Sequence, residues 1–292
     1  MDYSKLLGLI QDSDNMGTPR GEPVPGGSLE GSQNGGLGLS MPHKWRKKID
    51  GKFECALDGT YIRAIKPRYS LDQVGGGKRG KISGFTSSSR RRLMQTLAKT
   101  IKDQKPIFIT LTYPKEWPSD PKTWKKHLQN FIKRLVYKYP GSSGFWKLEP
   151  QYRGAPHYHM LIWGVSYFDL LCFTGLAWFN VVKSGDLKHL QAGTRVEEIR
   201  SWKGVRSYAS KYLGKKIEGL PGWDEVGRFW GIFGRDRLPW AKMISVELDY
   251  QGACKIIRLI RRYAHIKSRD YKSLTGIVND PTFWFDRLHL LI

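Results

Sequence analysis

The chain has 292 residues, 40% of them hydrophobic and 13% aromatic, enough for one large core or two small ones. Forty-nine Lys and Arg against 26 Asp and Glu leave a formal charge of +23, far more than solubility asks for, so a polyanion is the expected partner and nucleic acid the first candidate. No apolar run approaches the ~18 to 20 residues that span a bilayer, the N-terminus lacks the order of a signal peptide, and three isolated cysteines make neither a disulfide framework nor a zinc knuckle; a cytoplasmic protein with no membrane partner is expected.

Residues 1–42 are rich in Gly, Ser, Pro and Asn with almost no aromatic side chains, and read as a disordered leader. From 43 to 105 basic clusters alternate with Phe, Trp and Tyr. Lys78, Arg79 and Lys81 in "GGGKRGKIS" and Arg90, Arg91 and Arg92 in "SSSRRRL" are candidate DNA contacts, with a solvated basic loop as the competing reading. "GGGKRGKIS" nearly matches the phosphate-cradling GxxxxGK[ST], but Ile82 stands where the magnesium-holding hydroxyl must be, and no apolar strand precedes it. No ATP site, and therefore no helicase activity, is expected in this chain.

Residues 106–249 carry the clearest pattern. "IFITLTY" (107–113) alternates as a strand, with Phe108, Thr110 and Thr112 on one face. Asp120-Pro121 is a helix cap and first turn, after which Trp124, Leu128, Phe131, Leu135 and Tyr139 recur at helical spacing until Pro140-Gly141. "FWKLE" (145–149) and "HYHMLIWG" (157–164) form a hairpin around "PQYRGAP". A helix over 167–182, a strand over 194–199 and a helix over 201–216 follow. The order βαββαβ implies an α+β fold with an antiparallel sheet and helices packed on one face. Residues 250–292 begin with "ACKIIRLIRRYAHIKSRDYK" from position 253, a basic amphipathic helix that suits DNA, a partner or the rest of the domain.

Two histidines one residue apart on a strand project together, so His157 and His159 share a face while Tyr158, Met160 and Ile162 turn to the core. Glu149, on the partner strand and the same face as Phe145 and Lys147, is placed to complete a three-ligand site. Two imidazoles and a carboxylate with open positions suit Mg²⁺ or Mn²⁺, which would polarise a phosphate by Lewis-acid action. A nucleophile is then needed. In "VRSYASKYLGKK", Tyr208, Lys211 and Tyr212 stand at i, i+3 and i+4 on one helical face, either as reactive groups beside a cation or as an aromatic stripe in the core.

"FITLTYP", "PHYH" and "YASKY", in that order, resemble the three motifs of the HUH endonuclease superfamily, and most closely those of two-tyrosine rolling-circle replication initiators of filamentous-type bacteriophages and related plasmids. "GRFWGIFGRDRLP" is similar to the same proteins, and the resemblance covers roughly residues 105–240. It implies an RRM-like or ferredoxin-like sheet with the histidines on a central strand. His157, His159 and Glu149 would be metal ligands, Tyr208 the first nucleophile, Tyr212 the second, and Lys211 a residue that positions phosphate or metal. It implies nicking of single-stranded or origin DNA through a 5′-phosphotyrosine, ligation at termination, and a host helicase and polymerase as partners. A relaxase or transposase of the same superfamily is the alternative within this chemistry. A non-catalytic nucleic-acid-binding regulator is the alternative outside it.

Overall fold

The structure is a computed structural model and describes residues 46–71, 82, 84–199, 201, 217–218, 222–223, 225–263 and 272–286. The expected leader, the cluster of Lys78, Arg79 and Lys81, and the segment carrying Tyr208, Lys211 and Tyr212 lie outside the described residues. In chain order the elements are β1 (Arg46–Ile49), β2 (Lys52–Ala56), β3 (Tyr61–Ile65), β4 (Arg68–Leu71), β5 (Gly84–Phe85) and α1 (Ser87–Leu97). Then come β6 (Ile107–Thr112), α2 (Pro121–Lys138), β7 (Ser143–Pro150), β8 (Pro156–Trp163), α3 (Tyr167–Val182), α4 (Leu187–Ala192) and β9 (Thr194–Glu198). The last are β10 (Ile217–Glu218), β11 (Trp230–Phe233), β12 (Met243–Glu247), α5 (Tyr250–Tyr263), β13 (Ser273–Ile277) and α6 (Thr282–Asp286).

The fold is α+β with antiparallel sheets. The larger sheet runs β11-β7-β8-β6-β9, which puts β8 at its centre. Its β6-α2-β7-β8-α3-β9 portion follows the βαββαβ order of a ferredoxin-like unit. Local chemistry sets the element ends. The Asp120 carboxylate accepts from the backbone N–H groups of Lys122 and Thr123 at 3.0 and 3.2 Å, with Pro121 in the first turn. Ser166 caps α3 in the same way, accepting from Asp169 N–H at 3.1 Å.

Helices α2 and α3 cover one face of the sheet. Trp124, Leu128, Phe131 and Leu135 of α2 and Leu170, Ala177 and Trp178 of α3 are buried there, and the Trp178 ring meets Tyr158 edge-on at 6.2 Å. The opposite face is covered in part too. Phe85, Leu93 and Leu97 belong to the same core, and Trp230 Nε1 donates to Ser89 Oγ of α1 at 2.9 Å. Strand β6 is consequently buried on both faces from Ile107 to Leu111, where alternation in the sequence predicts a half-buried strand.

A second core lies outside this unit. Strands β2 and β3 from one end of the described chain and β12 and β13 from the other form one sheet, β12-β2-β3-β13. The amphipathic helix α5 lays Ala253, Ile256, Ile257 and Ile260 against Phe53, Cys55, Ile62 and Ala64. Each buried isoleucine contributes ~1.5 to 3 kcal/mol of transfer free energy. The sequence reading treats 43–105 and 250–292 as separate segments, and periodicity alone carries no sign that they pair. Backbone bonds from Thr60 N–H to Ala98 O at 2.9 Å and from Ala241 N–H to Lys99 O at 2.8 Å tie this sheet to the end of α1.

Tyr158 tests this packing. Its side chain is fully buried and its hydroxyl has no hydrogen-bond partner. Tyr158→Phe removes an unsatisfied polar group while keeping the ring, so urea unfolding is expected to show stability unchanged or raised by about 1 kcal/mol. A loss of that size would show that the hydroxyl is bonded in solution.

Candidate active site

The histidine strand is held from both sides by register. Thr112 pairs with His157 and Thr110 with His159 across β6–β8, while Glu149 pairs with His157 and Lys147 with His159 across β7–β8. Directly paired residues of an antiparallel sheet point to the same face. Six polar side chains therefore gather on the face away from α2 and α3. The connecting hairpin closes with Gly154 N–H donating to Gln151 O at 2.9 Å and Gly154 at φ 83°, a left-handed conformation that favours glycine. Arg153 pins this turn to the chain leaving β6, donating to Tyr113 O at 2.6 Å and Lys115 O at 3.1 Å, its guanidinium 4.9 Å from the Trp117 ring centre.

Each imidazole has a hydroxyl on its inner nitrogen. His157 Nδ1 lies 3.1 Å from Thr112 Oγ1, and His159 Nδ1 lies 3.2 Å from Thr110 Oγ1. A threonine hydroxyl donates or accepts, so it serves either tautomer while fixing the ring plane and leaving Nε2 for chemistry. The ring centres of His157 and His159 are 4.5 Å apart, and Phe108 stacks on His159 at 5.3 Å. His159 Nε2 meets Glu149 Oε1 at 2.6 Å, and Lys147 Nζ donates to Glu149 Oε2 at 3.2 Å. This Lys147 ammonium is wholly buried, 4.8 Å from the Phe85 ring centre. Thr112 is anchored in turn, its carbonyl accepting from Trp178 Nε1 of α3 at 2.8 Å and from His189 Nε2 of α4 at 2.9 Å.

Burial shapes the charges. It pushes His157 down to about 4, with His159 adding to the effect and Glu149 opposing it, so the His157 imidazole is neutral at pH 7 and able to offer a lone pair. Burial alone would raise Glu149, but the hydrogen bond and charge of His159, then those of Lys147, hold it below its ordinary value. The donor set of two imidazoles and one carboxylate is chemically that of a divalent-ion site. Its geometry is closed, because Nε2 of His159 and Oε1 of Glu149 bond to each other. Among the described residues no group of three or more His, Cys, Asp and Glu side chains is arranged as a metal cage.

Residues 106–217 match the model of a family described as "Replication-associated protein ORF2". The matched stretch begins just before β6, contains the whole histidine face except Phe85 and α1, and ends at β10. Two curated proteins of Xylella fastidiosa, each named "Putative replication protein", are similar to the chain. The one from strain 9a5c is 28% identical over 194 residues, covering 59% of this chain and 62% of its own length. The one from strain Temecula1 is 28% identical over 192 residues, covering 59% of this chain and 67% of its own. The alignment thus spans about three fifths of the first relative.

Of the residues singled out from sequence, His157, His159 and Glu149 converge within hydrogen-bonding distance or ring contact, and Arg90, Arg91 and Arg92 lie on α1, the helix whose Ser89 touches Trp230. Tyr208, Lys211, Tyr212, Lys78, Arg79 and Lys81 fall outside the described residues. The described chain resumes at Ile217, which pairs with Phe85, the ring beside Lys147. Sequence reasoning noted Thr110 and Thr112 only as one face of a strand and Lys147 only as a neighbour of Glu149. Their alternation with the histidine face was the available signal. Nothing local marks Arg153 or His189. Among the described residues no helix is long and apolar enough to cross a membrane.

The depressed His157 value has a consequence for stability. Between the ordinary 6.5 and about 4 the unfolded chain binds the proton that the folded chain refuses, so acid destabilises the fold. Unfolding measured in EDTA should lose stability as pH falls from 6.5, approaching about 3 kcal/mol from this group near pH 4. Glu149 adds loss in the same direction only at lower pH, and His127, also lowered chiefly by burial, contributes within the window. His157→Gln should flatten the slope between pH 6.5 and 5. An unchanged slope would place the titration elsewhere.

Proposed function

We propose that the chain initiates rolling-circle DNA replication as a metal-dependent, site-specific nickase and strand transferase of the HUH type. The observation that carries this reading is the histidine pair on the central strand, each Nδ1 on a threonine hydroxyl, beside a carboxylate gripped by a buried lysine. The similarity to replication proteins gives the same direction. His157, His159 and Glu149 would hold Mg²⁺ or Mn²⁺, the His159–Glu149 hydrogen bond giving way to the ion. The ion would supply Lewis-acid polarisation of the scissile phosphate.

Tyr208 provides the attacking phenolate oxygen. A bond forms from that oxygen to phosphorus as the bond from phosphorus to the 3′ oxygen breaks, leaving a 5′-phosphotyrosine and a free 3′-hydroxyl. Lys211 positions the phosphate. A host polymerase extends the 3′-hydroxyl and a host helicase separates the strands. After one round Tyr212 attacks the regenerated junction, and the 3′-hydroxyl freed by that attack closes the displaced strand. Each exchange conserves one phosphodiester bond, so no ATP is consumed. Tyr158, between the two histidines in sequence, takes no part. It faces the helices, and burial raises its phenol well above the usual range.

Tyr208→Phe should abolish the covalent adduct on labelled single-stranded origin DNA in Mn²⁺ while binding persists; an adduct formed at the wild-type rate would transfer the first attack to Tyr212 or sink the assignment. Thr112→Val should weaken Mn²⁺ binding roughly 10- to 100-fold, as loss of an outer partner of a ligating histidine does. Calorimetric titration with Mn²⁺ reads this without catalysis, and an affinity equal to wild type would separate Thr112 from ligand orientation.

A further inference from the structure

The outer face of α2, on the far side of the sheet from the histidines, carries a pattern that the nicking chemistry does not use. The helix "PKTWKKHLQNFIKRLVYK" holds six Lys and Arg and no Asp or Glu. An exposed helix normally balances such charges with carboxylates at i±4, and like charges there, as at Lys122 and Lys126, are mildly destabilising. Lys122, Lys126, Gln129, Lys133 and Tyr137 follow one another at steps of four, three, four and four, which aligns them in a single stripe opposite the buried Trp124, Leu128, Phe131 and Leu135. The three lysines and Gln129 line a groove of about 490 Å³ that has Glu225 at its other wall. Lys125 closes it from inside, donating to the Arg228 carbonyl with its ammonium 4.6 Å from the Trp146 ring centre. Tyr137 ends the stripe with a side chain 88% exposed, among the most exposed large aromatics of the described residues.

We propose that this stripe is a second nucleic-acid site, a track for single-stranded nucleic acid in which Lys122, Lys126 and Lys133 contact phosphates and Tyr137 stacks on a base. Cations tracking a backbone together with an exposed ring are the chemistry that binds single strands without reading sequence, whereas duplex DNA keeps its bases stacked on one another and gives an exposed ring nothing to stack on. From residue 122 to 137 the stripe is ~22 Å long, enough for several nucleotides. The track is independent of Tyr208 chemistry. Under the initiator reading it would hold strand remote from the nick.

The test uses the full chain and a fluorescent single-stranded 30-mer of mixed sequence, with the matching duplex as control, each titrated over a range of salt. Tyr137→Ala should weaken single-strand binding roughly 5- to 100-fold, the cost of one lost base stack, and leave duplex binding unchanged. The triple substitution Lys122→Ala, Lys126→Ala, Lys133→Ala should lower the salt slope for the single strand by about 2, at ~0.7 per phosphate contact, and the triple arginine variant should restore it. Equal loss on duplex and single strand with the tyrosine variant, or no change with either variant, overturns the proposal. Thermal unfolding confirms that these exposed substitutions leave the fold intact. Adduct formation on a short origin strand is measured alongside; its absence in the wild-type chain would count against the nickase and leave the binding result standing.

Discussion

The polar chain from Lys147 through Glu149 and His159 to Thr110 is the constraint around which this protein is organised. A wholly buried ammonium is tolerated only if paired, and Glu149 is its partner at 3.2 Å. The same carboxylate is the partner of His159, so one side chain satisfies two buried groups on two paired strands. Removing it would leave Lys147 as an uncompensated buried charge, a defect that costs ~3 to 5 kcal/mol in comparable pairs. Any loss of activity on truncating Glu149 therefore mixes ligand loss with damage to the fold. Register is bound up with this. A one-residue slip of β8 against β6 would drive both histidines into the Trp178 side and put Tyr158 against the threonines, which the buried aromatic packing forbids.

The two faces of the large sheet divide the work. One is filled by apolar side chains of α2 and α3, and it makes the sheet stiff. The other combines a buried apolar floor of Phe108, Phe145 and Leu161 with the polar cluster, so the histidines sit on a rigid surface of low polarity that strengthens their electrostatic interactions. Helices behind the sheet also act directly on the site, since Trp178 and His189 both hold the carbonyl of Thr112, the residue whose hydroxyl orients His157. The outward sides of those helices remain open to other uses, and the basic stripe of α2 is the most strongly patterned of them.

The small second sheet changes how the chain must be assembled. Its strands come from both ends of the described sequence, with Phe53 paired to Val246 and Ala64 to Leu274. Closing such long loops costs chain entropy before any contact repays it, so this sheet is expected to form after the local βαββαβ unit. The linking bonds at Thr60 and Ala241 meet at the end of α1, the helix that partly covers the histidine face. Through α1, the second sheet helps to set what lies over the candidate site.

Periodicity and punctuation in the sequence determined the central unit. The alternation of "IFITLT", the Asp120-Pro121 start and the two histidines one residue apart specify strand, helix and a shared face by local geometry, and the structure places each of them as those rules require. The hairpin put Glu149 on the histidine face for the same reason. What only tertiary structure decided depends on residues distant in the chain. Local alternation marks the threonines as a face but cannot tell what stands across from them, and it cannot show that Lys147 is buried, because Phe85 arrives from sixty-two positions earlier. The pairing of β2 with β12 and β3 with β13 is equally silent in sequence, since short strands carry little signal and their partners are chosen by where the larger sheet delivers the chain. Side-chain type and spacing thus specified which groups share a face, and packing from afar determined which of them are dry, paired and held still.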